Sequence, residues 1–341
     1  MLNAIESKGN MSEEEPLFVS ITPMKNEGPF VLEWVAHNLA IGIDKMVVMT
    51  NDCTDGTDAL LDRLDARGVL THVNNTSRRQ SSPQKRAYKR FLKMGMAREQ
   101  DWVIVIDADE HINVKSGDHT LRALTRAMPQ AQMISMTWRL FGNAGIVSYE
   151  DRFLSEQFRM AAPEHCPRPP QAWGLKTMFK RRLWSALGVH RPKRPLVDSM
   201  AECHWYNGSG QPMPERYFTG SWRSARDSVG YDLVQLNHYA LKSCESYLVK
   251  KMRGRAHHLG ESLGLEYWNM MNQNAVEDSS IDVIAPRKKS IFDELMDDAE
   301  TARLHHACCA NHRAQIEELR ARADIAELFA QMTSEPTREG T

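Results

Sequence analysis

Between Leu17 and Trp138 the chain alternates short apolar runs with stretches of helical periodicity, and this alternation limits the folds open to it. Apolar strands separated by helix-length segments are typical of βα units, which build a parallel sheet covered by helices. The predicted strands are Leu17–Thr22, Lys45–Met49, Val69–Val73, Trp102–Ile106 and Gln132–Trp138. The sequence therefore predicts an α/β fold with a mostly parallel sheet flanked by helices.

The ends of the first two helices are marked by the residues that usually start and stop helices. Pro29 stands near the start of the first helix and Gly42 just past its end. The second helix is predicted from Thr57 to Arg67, with a threonine cap and Gly68 as its stop.

In an open α/β sheet, ligands bind beyond the carboxyl ends of the strands, so the loops that follow strands are the informative ones. Three of these loops are dense in polar groups: residues 22–27, 50–57 and 107–111. They predict a binding site for a polar ligand at that edge of the sheet.

The third of these loops begins Asp107-Ala108-Asp109-Glu110. Two carboxylates that leave a buried strand at positions i and i+2 can hold a divalent cation against a phosphate group, since hard oxygen ligands suit Mg²⁺ or Mn²⁺. Asp109 is best placed to bind the ion, Asp107 to bind a ribose or share the ion, and Glu110 to orient them. A solvated acidic turn is the alternative.

The other two loops, with the start of the third helix, supply groups suited to a nucleotide. Asn51 and Asp52 can hydrogen-bond a nucleobase or ribose, although ordinary turn chemistry also explains their loop. Lys25 and Lys85, with Arg86, can counter the charge of a diphosphate, and solvated basic residues are the alternative.

Two further segments carry candidate ligand contacts. His238 follows an apolar stretch and can return to the sheet edge as a third metal ligand, with His190 in reserve. Trp138, Arg139 and Phe141 leave the fifth predicted strand and suit stacking on a sugar and bonding its hydroxyl groups, although Trp138 also fits a core.

Composition excludes several classes of protein. The formal charge of −1 over 341 residues gives no basic field for nucleic acid. No apolar run approaches the roughly 18 residues of a membrane span, and the first 15 residues lack the pattern of a signal peptide. Six scattered cysteines suggest neither a zinc cluster nor a disulfide framework. A cytoplasmic location is the resulting expectation.

The regular pattern divides the chain into four parts. Residues 1–15 and 334–341 are predicted to be disordered. Residues 16–255 form the main domain, with a nucleotide-binding half at 16–140 and an acceptor half at 141–255. Residues 256–333 form a C-terminal helical extension of amphipathic helices, whose contact with a membrane surface the sequence leaves open.

Taken in order, several segments resemble the bacterial branch of glycosyltransferase family 2, which has a GT-A fold. They are ITPMKNE at 21–27, NDCTDGT at 51–57, DADE at 107–110, WRLFG at 138–142, NHY at 237–239 and KKMRG at 250–254. The resemblance covers residues 17–254.

This resemblance implies transfer of a sugar from a nucleotide-diphosphate donor to a carbohydrate or glycoconjugate acceptor, with inversion at the anomeric carbon and a bound Mn²⁺ or Mg²⁺. It places Asp107, Asp109 and His238 at the metal. The nucleotide-sugar contacts it implies are Thr22, Lys25, Asn26, Glu27, Asn51, Asp52, Lys85 and Asp107. For the catalytic base, Glu150 and Asp151 follow the metal motif at a suitable distance, and Glu164 and Glu202 are alternatives.

Two other functions remain open from the sequence. One is a carbohydrate-binding protein of the same fold that has lost its base. The other is an aspartyl-phosphate phosphatase, whose Asp-x-Asp motif normally lies on the first strand, whereas three strands precede Asp107 here. A nucleotidyltransferase is disfavoured because the loop after the first strand is not rich in glycine.

Overall fold

A nine-stranded sheet forms the centre of the fold, in a computed structural model that describes residues 15–77, 82–166, 168–253 and 264–334. Its strands follow the order β3-β2-β1-β4-β8-β6-β12-β5, and β11 pairs with β6. The strands are β1 (Phe18–Met24), β2 (Lys45–Thr50), β3 (Thr71–Asn74), β4 (Trp102–Val105), β5 (Glu110–Val114), β6 (Met133–Leu140), β7 (Met160–Ala161), β8 (Leu175–Lys180), β9 (Trp184–Ala186), β10 (Lys193–Pro195), β11 (Trp205–Asn207), β12 (Val234–His238) and β13 (Val276–Glu277).

Helices cover this sheet and continue beyond it towards the carboxyl end of the chain. They are α1 (Val31–Ala40), α2 (Thr57–Ala66), α3 (Pro83–Met94), α4 (Leu121–Ala127), α5 (Leu154–Gln157), α6 (Arg216–Thr219), α7 (Cys244–Arg253), α8 (Leu265–Met271), α9 (Ala285–Met296), α10 (Ala299–Arg320) and α11 (Ala323–Thr333). Local chemistry sets several ends: Ser82 caps α3 ahead of Pro83, and Thr120 caps α4.

The relative direction of the strands brings several chain segments to one edge of the sheet. β1, β2, β3 and β4 pair in parallel, and β6 pairs in parallel with β12. β8 lies between β4 and β6 and is antiparallel to both. The carboxyl ends of β1, β4, β6 and β12 and the amino end of β8 therefore meet at the same edge.

The predicted fold class is confirmed: an α/β structure with a mostly parallel sheet, flanking helices and a C-terminal helical extension. All five predicted strands are present, and their ends differ from the predicted ones by at most two residues. The predicted loop 107–111 is wrong in its second half, because Glu110 and His111 begin β5, which pairs with the distant β12. The predicted cap of α2 is also wrong, because Gly56 takes that position in a left-handed conformation and Thr57 is the first helical residue.

The C-terminal helices share a core with the sheet domain. Buried Leu295, Cys308, Ile316 and Ile325 belong to the same apolar cluster as Trp34 of α1. Lys288 of α9 is almost fully buried and donates hydrogen bonds to Glu33 of α1 (2.8 Å) and to Ser155 (2.6 Å). These helices are therefore an integral layer of the described structure.

α10 approaches the first loop of the chain very closely. A Cβ added at Gly28 would lie 2.7 Å from the Sγ of Cys308, and one added at Gly56, whose φ is +97°, would lie 3.1 Å from the same atom. At Gly28 a side chain would overlap Cys308, and at Gly56, in the second loop, the left-handed backbone conformation also favours glycine.

Two predictions about the ends of the chain lie largely outside the described residues. The disordered segments 1–15 and 334–341 fall there except for Glu15 and Ser334, and so does the boundary at 255. Within the described part of the chain, every helix is too short or too polar to cross a membrane.

Three buried histidines make the fold sensitive to acid. Burial lowers the pKa of His312 to about 3 and holds the pKa values of His37 and His111 well below their usual range. His312 bonds Ser246 through Nε2 (3.0 Å) and packs edge-on against Phe30 and Tyr149. The folded state keeps these rings neutral. In the unfolded chain a histidine has a pKa of 6.5 and binds a proton below that pH, so acid favours unfolding.

We therefore expect the contribution of these three rings to stability to be full above pH 6.5 and to fall as the pH drops below it. For His312 alone the loss at pH 5 amounts to about 2 kcal/mol. His312→Gln should flatten the dependence of unfolding free energy on pH by that amount, as measured by denaturant titration between pH 5 and 8. A wild-type unfolding free energy that does not change over this range would contradict the prediction.

Candidate active site

A cavity of about 730 Å³ opens at the edge of the sheet where the strand ends meet. Its volume is in the range of small-molecule and cofactor sites. It is lined by Pro23, Met24, Lys25, Glu27, Gln84, Asp107, Ala108, Asp109, Trp138, Gln171, Val189, His190, Arg191, Lys193, Ser221, Trp222, His238, Lys250, Arg253, Tyr267, Met270 and Met271. Seven of the residues named from the sequence are among them: Lys25, Glu27, Asp107, Asp109, Trp138, His238 and the reserve candidate His190.

Asp109 lies at the centre of the charged side of the cavity. Lys250 of α7 donates a hydrogen bond to its Oδ2 (2.7 Å), and Nε2 of His238 is 3.7 Å from its Oδ1. Burial by itself would raise the pKa of Asp109, but Lys250 and His238, which face it, outweigh burial and hold the pKa well below its usual value. Asp109 is therefore an anion at every physiological pH.

Asp107 is held by a buried lysine that comes from the middle of the sheet. Lys176, at the amino end of β8, is fully buried and donates to Oδ2 of Asp107 (2.8 Å), while Glu110 lies 3.3 Å away. Burial would lower the pKa of Lys176, but the two carboxylates raise it above its usual value. Lys176 is therefore a fixed cation behind Asp107.

Glu110 orients this group, as the sequence predicts. Its Oε2 accepts a hydrogen bond from the backbone N–H of Asp107 (2.8 Å), and its Oε1 accepts one from the indole N–H of Trp138 (2.7 Å). Both carboxylate oxygens are thus engaged, and the side chain ties the turn that carries Asp107 and Asp109 to β6.

Glu27 anchors a second group of cations. Lys242 donates to its Oε2 (2.9 Å), Arg253 bonds its Oε1, and the Nζ of Lys242 lies 3.7 Å from the ring centre of Phe30. Burial would raise the pKa of Glu27, but Arg253 and Lys242 lower it overall. Arg253 also donates to the backbone carbonyls of Lys25 and Asn26, which fixes the first loop.

The first and second loops are bonded to each other. Asn26 exchanges two hydrogen bonds with Thr54, of 3.1 and 2.8 Å. Asp55 accepts from the backbone N–H of Gly28 (3.0 Å), and Thr57 accepts from that of Glu27 (3.0 Å). The side chain of Asn26 is therefore used to shape the cavity wall and does not line the cavity.

One wall of the cavity is aromatic. The ring of Trp138 lies 5.5 Å from that of His190, 6.4 Å from that of Trp222 and 4.4 Å from that of His238, measured between centroids. His190 is held in place by a 3.0 Å hydrogen bond between its Nδ1 and the carbonyl of Leu175. Flat apolar faces next to polar groups suit a sugar ring.

The structure places the other predicted site residues away from the cavity lining. Thr22 is fully buried in β1, Asn51 is buried, and Asp52 and Lys85 are exposed. Arg139 is buried and paired with Glu164 (3.3 Å), and Phe141 packs in the core with Tyr239. Glu150 pairs with Arg152, and Asp151 faces His305 of α10 (3.5 Å).

Sequence reasoning assigned no role to four cations of this site. They are Lys176, Lys242, Lys250 and Arg253. Lys250 and Arg253 lie within the KKMRG segment, which contributed to the resemblance. For Lys176 and Lys242 the sequence contains no signal, because only the folded sheet brings their segments to this edge.

Comparisons with known proteins show one family. The family model of Glycosyltransferase family 92 matches residues 15–198 of this chain. No curated protein matches this chain.

Solved structures resemble parts of this chain only distantly. S. aureus TarS is 18% identical over 37% of this chain and 22% of its own, with a TM-score of 0.28. Glucosyl-3-phosphoglycerate synthase from Mycobacterium tuberculosis, in complex with Mn²⁺, UDP and glucosyl-3-phosphoglycerate, is 18% identical over 36% of this chain and 44% of its own, with a TM-score of 0.26. The chain thus covers less than half of either protein, and TM-scores this low carry no argument about function.

Proposed function

This chain belongs to glycosyltransferase family 92, and on that premise we propose that its cavity binds a nucleoside-diphosphate sugar and transfers the sugar to a hydroxyl group of a carbohydrate or glycoconjugate. The glycosyltransferase predicted from the sequence is confirmed, but the family is 92 and not family 2. The donor, the acceptor and the stereochemistry belong to the proposal.

The observation that carries the proposal is the position of Asp109. It lies just after β4, at the sheet edge, in a cavity large enough for a nucleotide sugar, and it is surrounded by cations. Five cationic side chains and three carboxylates line this cavity. An excess of positive charge around a fixed anion suits a diphosphate, whose oxygens can share the cations with Asp109.

The chain supplies much of the charge that a leaving diphosphate needs. We propose that Lys25, Lys250 and Arg253 bind the phosphate oxygens and stabilise the negative charge that develops as the sugar departs. The aromatic wall of Trp138, His190 and Trp222 would hold the transferred sugar or the acceptor. Asp107, fixed by Lys176 and the Glu110 hydrogen bond, is suited to a ribose hydroxyl.

The predicted metal site fits in part. Asp109 and His238 offer a carboxylate oxygen and a ring nitrogen 3.7 Å apart, a pair of ligands that Mn²⁺ accepts after a small adjustment. Asp107 does not complete the set, because the ligand atoms of Asp107, Asp109 and His238 do not all lie within 4.8 Å of one another. We propose that Asp109 and His238 hold a Mn²⁺ or Mg²⁺ ion, which when bound would neutralise part of the diphosphate charge.

Glu150 and Asp151 have no part in this mechanism because they do not line the cavity. Inversion at the anomeric carbon and a cytoplasmic location remain parts of the proposal.

Turnover of nucleotide sugars tests the proposed function. We expect the purified protein to release nucleoside diphosphate from one member of a panel of UDP- and GDP-sugars in the presence of Mn²⁺, and release to fall at least about tenfold in EDTA. NMR of the product should show the anomeric configuration opposite to that of the donor. Tight binding of a donor without turnover against any acceptor would instead favour a carbohydrate-binding protein.

A further inference from the structure

Asp151, His305 and Cys309 form a second polar cluster, which we call the junction cluster. His305 and Cys309 lie one turn apart on the same face of α10, and Asp151 comes from the loop between β6 and α5. Their ligand atoms all lie within 4.8 Å of one another. Among the residues that the structure describes, no other group of three His, Cys, Asp or Glu side chains has its ligand atoms this close together.

The distances within the junction cluster match the spacing of ligands around one zinc ion. Nε2 of His305 is 3.5 Å from Oδ1 of Asp151 and 3.7 Å from Sγ of Cys309. In a tetrahedral zinc site, nitrogen and oxygen ligands lie about 3.3 Å apart and nitrogen and sulfur ligands about 3.6 Å apart. These two distances would therefore change little if an ion were bound.

The arrangement does not suit a proton relay. In a Cys-His-Asp relay the thiol faces one ring nitrogen and the carboxylate the other. Here Asp151 and Cys309 both face Nε2 of His305, while its Nδ1 is buried without a hydrogen-bond partner in the described part of the chain. Three ligand atoms that converge in this way leave a position between them that a cation can take.

We propose that the junction cluster binds a zinc ion, with a thiolate, an imidazole and a carboxylate as its protein ligands. His305 and Cys309 are buried, whereas Asp151 is exposed, so the ion enters from the side of Asp151 and a water molecule takes the fourth position there. This site shares no residue with the proposed sugar-transfer site.

A zinc ion here would fasten the C-terminal helices to the sheet domain. The loop that carries Asp151 already contacts these helices through Phe153, whose ring lies 5.0 Å from that of Phe292, and through Tyr149, whose ring lies 4.6 Å from that of His312. The ion adds a bond between the same two parts of the chain, and its binding free energy adds to the stability of the fold.

Cobalt substitution tests this site. The full chain, stripped of metal and titrated with Co²⁺, should show one thiolate-to-cobalt charge-transfer band in the near ultraviolet, and zinc added afterwards should displace it. Cys309→Ser should remove the band. Cys308→Ser, which changes the neighbouring buried thiol outside the cluster, should retain it. The absence of a band in the wild type, or a band that persists in Cys309→Ser, would overturn the proposal.

A second variant covers the case in which Cys309→Ser does not fold. Asp151→Asn changes an exposed side chain and should weaken zinc binding at least about tenfold, measured by competition with a chromophoric chelator. Unchanged affinity in this variant would also overturn the proposal. Metal at Asp109 and His238 gives no thiolate band, so the result does not depend on the proposed transferase activity.

Discussion

Asp109→Asn is expected to lower the turnover of nucleotide sugar at least about a thousand-fold, which corresponds to about 4 kcal/mol of transition-state stabilisation. Asparagine keeps the size of the side chain but removes the negative charge that Lys250 and His238 share. Without that charge, the site would lose the metal ligand that we propose, and the surrounding cations would no longer be held where we propose that the diphosphate binds. Initial rates with the accepted donor measure the effect.

Asp118→Asn is the control for this variant. Asp118 is an exposed aspartate in the loop after β5 and does not line the cavity, so its rate should stay within about twofold of the wild type. Both variants should keep the circular dichroism spectrum of the wild type. An Asp109→Asn protein that is folded and turns over donor within tenfold of the wild type would contradict the assignment of Asp109.

Lys288→Met is expected to destabilise the fold by about 3–5 kcal/mol. Lys288 and Glu33 are both almost fully buried and 2.8 Å apart, so methionine leaves the carboxylate of Glu33 buried without its cation. Glu33 also accepts a hydrogen bond from the backbone N–H of Leu154 (2.6 Å), so the loss of the Lys288 cation should also loosen the start of α5. Chemical denaturation followed by fluorescence measures the change in unfolding free energy.

The neighbouring residue provides a matched control. Lys289 is exposed and pairs with Asp293 one turn further along α9. Exposed pairs of this kind contribute only about 0.3–0.5 kcal/mol, so Lys289→Met should have little effect. Equal and small effects of the two substitutions would show that the buried pair does not hold α9 on α1.

The sequence predicts the part of the fold that local patterns determine. β1 to β4 have the expected apolar runs, and β6 appears where Gln132–Trp138 was predicted. Asp109 and His238, which are 129 positions apart, were both predicted to reach the sheet edge and lie 3.7 Å apart there. The rule that ligands bind beyond the carboxyl ends of strands was enough for this result.

Features that depend on distant partners could not be predicted. β5 needs β12 beside it, and β8 enters the sheet antiparallel between two parallel strands, which places Lys176 behind Asp107. A single buried lysine among apolar residues has no signature in a sequence. For the same reason, the surroundings of Asp151 could not be predicted. Its neighbours His305 and Cys309 lie more than 150 residues away and are brought to it by the packing of α10.

Calorimetric titration of UDP and GDP, with wild-type protein and Asp109→Asn and each with and without Mn²⁺, tests whether a nucleoside-diphosphate site lies at the sheet edge. We expect one of the two nucleotides to bind the wild type, more tightly with Mn²⁺, and Asp109→Asn to lose the effect of the metal. Failure of both nucleotides to bind the wild type in either condition would contradict a nucleoside-diphosphate site at the sheet edge.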